Sequence, residues 1–94
     1  MRPSPPDPDT HLRLAEREYR AGRLEAAALA YQRAFDLQDP GSKGAAAFGL
    51  GLMRLLQGDR RRALLAWRQA MATHDPEFAP RAACFIAVWL VRTI

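Results

Sequence analysis

The side chains with the type for nucleophilic, acid–base or metal chemistry are few in this chain, and their spacing brings no two of them together. His11 and His74 stand more than half the chain apart, and neither has a metal-ligand partner or a nucleophile–base arrangement beside it. Both are predicted to be exposed bystanders. Cys84, between Ala83 and Phe85, reads as a small buried hydrophobe rather than a reactive thiol. As a lone cysteine it permits no intramolecular disulfide and no cysteine-rich metal site, and it fits a reducing cytoplasm. Gly41, Gly44, Gly49 and Gly51 lack the spacing of a phosphate loop, and no Gly-Lys-Ser/Thr follows them. No catalytic residue, metal site or cofactor is therefore assigned, and a non-enzymatic role is expected.

Arginine offers the other possible chemistry. Arg60, Arg61 and Arg62, with Arg68 beyond them, form a basic stripe that could meet phosphates, and contact with nucleic acid through it is the alternative function. Two features weigh against that reading. The run opens a helix, where the macrodipole disfavours cations. The net charge of +4 comes almost wholly from arginine, and glutamates are interleaved with arginines from position 13 to 25. A solvated convex face is the simpler expectation. Residues Met1 to Pro8 carry four prolines and no apolar stretch, so no secretory signal is read there. The longest apolar run, Ala82 to Val91, falls well short of the roughly 20 residues a spanning helix needs. Membrane partners are not expected, although a peripheral contact through that run is a third, weaker reading.

The elements that must position any site are legible from an internal repeat of 36 residues. Gly22 falls on Gly58, Ala27 on Ala63, Tyr31 on Trp67, Ala34 on Ala70, Phe35 on Met71 and Pro40 on Pro76. Such a period denotes stacked supersecondary units, each unable to bury its apolar face alone. Abundant alanine favours helix. The spacing predicts helices near 10–21 (capped by Asp9 or Thr10), 24–37, 42–57 and 60–73, and a fifth from about 77 to 94, after a flexible proline-rich arm over 1–9. Leu24, Ala27, Ala28, Tyr31, Ala34 and Phe35 share one face of the second helix, and Ala63, Leu64, Trp67, Ala70 and Met71 share one face of the fourth. The fold class expected is all-α: a short α-solenoid of two helical hairpins, about 10–40 and 44–76, plus a C-terminal helix.

These positions resemble the tetratricopeptide repeat in a 36-residue form. Leu14-Ala15 and Leu50-Gly51 stand for the family's Leu-Gly in the first helix of a unit, Gly22 and Gly58 for the turn, and Ala27, Ala34, Ala63 and Ala70 for the small residues of the second helix. Pro40 and Pro76 close the units. The chain departs from the pattern where His11 and Ala47 replace an early aromatic, and where Glu18 and Arg54 replace a tyrosine. The resemblance implies a scaffold whose concave groove takes a peptide or helix. The corresponding groove positions are Leu12, Glu16, Tyr19 and Arg20, then Phe48, Leu52, Leu55 and Leu56, then Cys84, Val88, Val91 and Arg92. The surface is mostly apolar, and it lacks the Lys and Asn with which some members clamp a carboxylate.

The last helix is apolar around nearly its whole circumference, which is unusual for the end of an array. Phe85, Val88, Trp89 and Val91 are therefore expected to mediate self-association, as a homo-oligomer or against a permanent protein partner. Glu18 and Arg54, at one repeat position on successive helices, are expected to be able to pair across the stack.

Overall fold

A computed structural model describes residues 7–93 of the 94-residue chain. Five helices follow one another, α1 (Pro8–Arg20), α2 (Leu24–Asp36), α3 (Lys43–Leu56), α4 (Arg60–Ala72) and α5 (Phe78–Thr93), with no strand among the described residues. Each packs on its neighbours in sequence, and α3 also meets α5. Two antiparallel hairpins and a terminal helix thus form a slab of 57 × 29 × 17 Å.

The repeat is written into the backbone as well as the side chains. Gly22 and Gly58 turn the hairpins at φ +80° and +81°, a conformation glycine adopts without penalty. One period apart again, Gln38 and His74 end α2 and α4 at φ +54° and +57°, left-handed positions occupied by residues other than glycine. After each stands an aspartate whose carboxylate captures the turn. Asp39 accepts from the Gly41 amide at 3.1 Å, and Asp75 accepts from the Glu77 and Phe78 amides at 2.9 Å each, satisfying donors at the start of α5.

The core is built of alanine with a few aromatics wedged in. Ala15, Ala27, Ala28, Ala34, Ala46, Ala47, Ala70 and Ala82 have no exposed surface, and Trp67, 1% exposed, is the one large side chain buried to that degree. Gly51 makes room for it: a Cβ there would lie 2.2 Å from the indole Nε1. Phe85 lies tilted against Trp67 at 5.3 Å between centroids and meets Phe48 edge-to-face at 5.4 Å, and Phe48 meets Phe78 at 5.6 Å. This aromatic chain ties α3, α4 and α5 together, each such pair adding about 0.5–1.5 kcal/mol beyond area burial.

Several expectations are corrected. Helix α1 begins at Pro8, not near 10, because the cap is Asp7, whose carboxylate accepts from the Thr10 amide at 2.7 Å. Pro8 at the first helical position needs no donor. Pro8 and Asp9 therefore belong to the helix, and the rest of the proline-rich arm, residues 1–6, lies outside the described residues. Tyr31 and Trp67 occupy equivalent places but not equal burial, since Tyr31 is only half-buried. Met71 was expected inward and is 40% exposed, at the outer edge of the face where its counterpart Phe35 is half-buried. Glu18 and Arg54 do not pair. Glu18 is bound by Arg23 across its own hairpin turn, and Arg54 meets Glu25 at 3.4 Å and Gln57 at 3.0 Å. The closer partner wins in each case.

Candidate binding groove

Along the face where α1, α3 and the start of α5 come side by side, a cleft of about 230 Å³ opens. Its walls are Leu12 and Glu16 from α1, Ala45, Phe48 and Leu52 from α3, and Phe78 from α5, with Tyr31 of α2 and Gly49 completing it. Leu12 and Glu16, four residues apart, share a helix face, as do Ala45, Phe48, Gly49 and Leu52. Gly49 is what lets Tyr31 reach the cleft, for a Cβ there would sit 2.4 Å from the tyrosine Cε1.

The cleft is apolar but for one carboxylate and one phenol. Burial, and after it the nearby Glu16 charge, push the Tyr31 hydroxyl above its ordinary value, so it stays a neutral donor at physiological pH. Glu16 forms no ion pair among the described residues. The chain carries a positive net charge, yet this cleft presents an unpaired anion beside hydrophobic walls. It suits an apolar group that carries a cation.

Of the groove residues read from sequence, the structure gathers Leu12, Glu16, Phe48 and Leu52 in this cleft and leaves the rest outside it. Tyr19 and Arg20 are exposed near the end of α1, and Leu56 is exposed at the end of α3. Leu55 turns inward and packs against Trp67 and its neighbours. Cys84 and Val88 line a separate apolar depression of about 150 Å³ with Phe85, and Val91 and Arg92 lie exposed farther along α5. Tyr31, Ala45, Gly49 and Phe78 were missed as lining residues. The pair Tyr31 and Gly49 carried a usable signal, an aromatic one repeat before Trp67 and a glycine where the next repeat has Phe85.

Cys84 is exposed, contrary to the buried position expected for it. Its counterpart Phe48 in α3 is covered by Phe78 and Phe85 of α5, and no later helix among the described residues covers Cys84 in the same way. His11 is half-buried, not exposed, and its Nδ1 has no hydrogen-bond partner. His74 is exposed at its turn. No group of three or more His, Cys, Asp or Glu side chains among the described residues is placed to hold a metal ion. No described helix is long and apolar enough to cross a membrane.

The four residues expected to self-associate are divided by the structure. Phe85 leans on Phe48 and Trp67, and Trp89 is half-buried with the Arg60 guanidinium 4.7 Å above its ring, whereas Val88 and Val91 are 55% and 73% exposed. The arginines do not form one stripe either, since consecutive helical residues point about 100° apart. Arg60 stacks on Trp89, Arg62 pairs with Asp59 at 3.4 Å, and Arg61 and Arg68 are exposed. Arg62 and Arg54 also line a hollow of about 290 Å³ with Gln32 and Gln69, but each of the two already faces a carboxylate.

Compared with protein-family models, with curated proteins and with solved structures, this chain finds no match in any of the three.

Proposed function

We propose that the chain is a non-enzymatic interaction scaffold of the tetratricopeptide kind, an adaptor that takes an apolar peptide or helix bearing a basic residue. The observation that carries this reading is the cleft between α1 and α3, where Leu12, Leu52, Phe48 and Phe78 line the wall beside the exposed, unpaired Glu16 and the half-buried Tyr31. A Lys or Arg of the ligand would meet Glu16, while its apolar neighbours fill the cleft. The 36-residue period and the alanine seams support a stacked-helix scaffold as the frame.

Selection of displayed peptides against the chain tests the proposal. Enriched peptides should pair an aromatic or leucine with a nearby Lys or Arg, and their binding should shift the amide resonances of Leu12, Glu16 and Leu52. Glu16→Lys should reverse the charge preference at one position without unfolding α1. Enrichment that survives both Glu16→Lys and Leu52→Lys would overturn it. The alternative, a basic module on nucleic acid, is less well supported because Arg60 and Arg62 are engaged within the chain.

A further inference from the structure

We propose that the outer face of α5 is a second docking surface, distinct from the cleft, for a helix of a partner protein that carries one aromatic flanked by small residues four before and three after it. The argument rests on how the chain fills the same seam twice. Ala15 in α1, Gly51 in α3 and Ala87 in α5 occupy one repeat position. Ala15 has no exposed surface, and Gly51 lies against the Trp67 indole so closely that a Cβ would be 2.2 Å from Nε1. Ala87 is exposed. Its flanks are open too: Ala47 is fully buried where Ala83 is half-buried, and Leu55 packs on the core where Val91 is 73% exposed.

The opposite side of α5 is already used. Ala82 is fully buried there, Phe85 packs on Trp67, and Trp89 lies under Arg60. What remains is a strip whose central Ala87 matches the small Ala15 and Gly51 of the two filled seams. The helices that follow the two earlier seams show what fits: α2 has Ala27, Tyr31 and Ala34, and α4 has Ala63, Trp67 and Ala70, the four alanines being at most 1% exposed. Small residues let the axes approach while the ring fills the wider gap. An antiparallel occupant would set its first turn beside Arg92 in the last turn of α5. An acidic residue there would suit both that cation and the occupant's own dipole, as Glu25 does at the start of α2.

A second copy of α5 does not meet this description. Phe85 is preceded four residues earlier by Arg81 and followed by Val88, and Trp89 is preceded by Phe85 and followed by Arg92, so neither ring has small flanks. Both rings also already have contacts within the chain, Phe85 on Trp67 and Trp89 under Arg60.

The probe is a synthetic peptide with the α2 sequence, residues 23–37, titrated into the isotope-labelled chain. Resonances of Ala83, Ala87 and Val91 should shift and saturate. Replacing the peptide's tyrosine by alanine, or Ala87→Glu in the chain, should each weaken binding by about tenfold or more, as expected for loss of a central anchor. Glu16→Lys should leave it unchanged, which separates this surface from the cleft. Because so short a helix is marginal in isolation, the same segment is also joined after Ile94 through a Gly/Ser linker, giving an effective concentration on the order of millimolar. The tethered segment should raise the melting temperature, and Ala87→Glu should abolish the gain. Shifts centred on Leu12 and Glu16, binding indifferent to Ala87→Glu, a tether that adds no stability, or a peptide-free chain that dimerises through α5 would each overturn the proposal.

Discussion

Replacing Gly51 by alanine should destabilise the fold, although a glycine-to-alanine change inside a helix ordinarily gains about 1 kcal/mol. The added Cβ would stand 2.2, 2.4 and 2.9 Å from Nε1, Cδ1 and Cε2 of Trp67. Unstrained contacts between heavy atoms lie near 3.5–4.0 Å, so the indole would have to withdraw by roughly 1 Å or more. It has nowhere to go, being 1% exposed with Phe85 packed at 5.3 Å. Overpacking of this kind costs about 1–3 kcal/mol, and a rigid ring hemmed in on both sides belongs at the upper end. Offset by the helical gain, the net loss is about 2 kcal/mol, or roughly 10 °C in melting temperature for a domain this small. Thermal and urea unfolding followed by circular dichroism would measure it. Gly49→Ala is the control: its Cβ would strike Tyr31 at 2.4 Å, but that ring is half-buried beside an open cleft and can swing outward, so the loss should be smaller. A Gly51→Ala chain that melts higher than the parent, with unchanged tryptophan fluorescence, would refute the packing of Trp67 on that glycine.

Gly58→Ala should cost about 1 kcal/mol through backbone conformation alone, since φ is +81° and nothing lies within 4 Å of the added methyl; chemical denaturation would register it. His74→Gly should do the reverse, gaining about 1 kcal/mol by relieving a left-handed position held by a residue with a side chain. Acid should weaken the first hairpin: the Thr10 amide holds the Asp7 carboxyl below its ordinary 3.8, and the bond from Arg23 holds Glu18 below its ordinary 4.5. Their contribution is complete above those unfolded values and is lost as the pH falls through the lower folded ones, so melting temperature should drop over that window. Asp7→Asn keeps an acceptor at the cap and should remove the Asp7 share of the drop. Glu25→Ala should cost under about 1 kcal/mol, the Glu25 side chain being 65% exposed, as a melt at moderate salt would show.

The helices were legible because their punctuation is local. Gly22 and Gly58 mark turns that need a positive φ, and the alanine pattern around Tyr31 and Trp67 marks the seams between helices. What escaped was anything set by a neighbour not adjacent in sequence. Cys84 looked like a core residue by its apolar surroundings in the chain, but none of the described helices packs over it. Arg54 found Glu25 and Gln57 instead of Glu18, a choice made by side-chain reach across the stack. The cleft was half legible. Leu12, Glu16, Phe48 and Leu52 were among the groove positions that the resemblance to the tetratricopeptide repeat implied, whereas Tyr31 entered only because Gly49 lets a residue of α2 show through between two other helices.

The slab is two helices thick, and α3 is the element with the most packed neighbours, α2, α4 and α5. Such a molecule opens as a zipper does rather than as a globule. Amide hydrogens near Ala46, Ala47 and Leu50 in α3 should exchange with solvent only in molecules that have come wholly apart. Those of α1 and α5 should exchange through openings that leave the middle intact. The slowest part of the protein would then lie next to the cleft, so its α3 wall is held by the part of the chain that lets go last, while Leu12 and Glu16 stand on an element free to loosen around whatever binds.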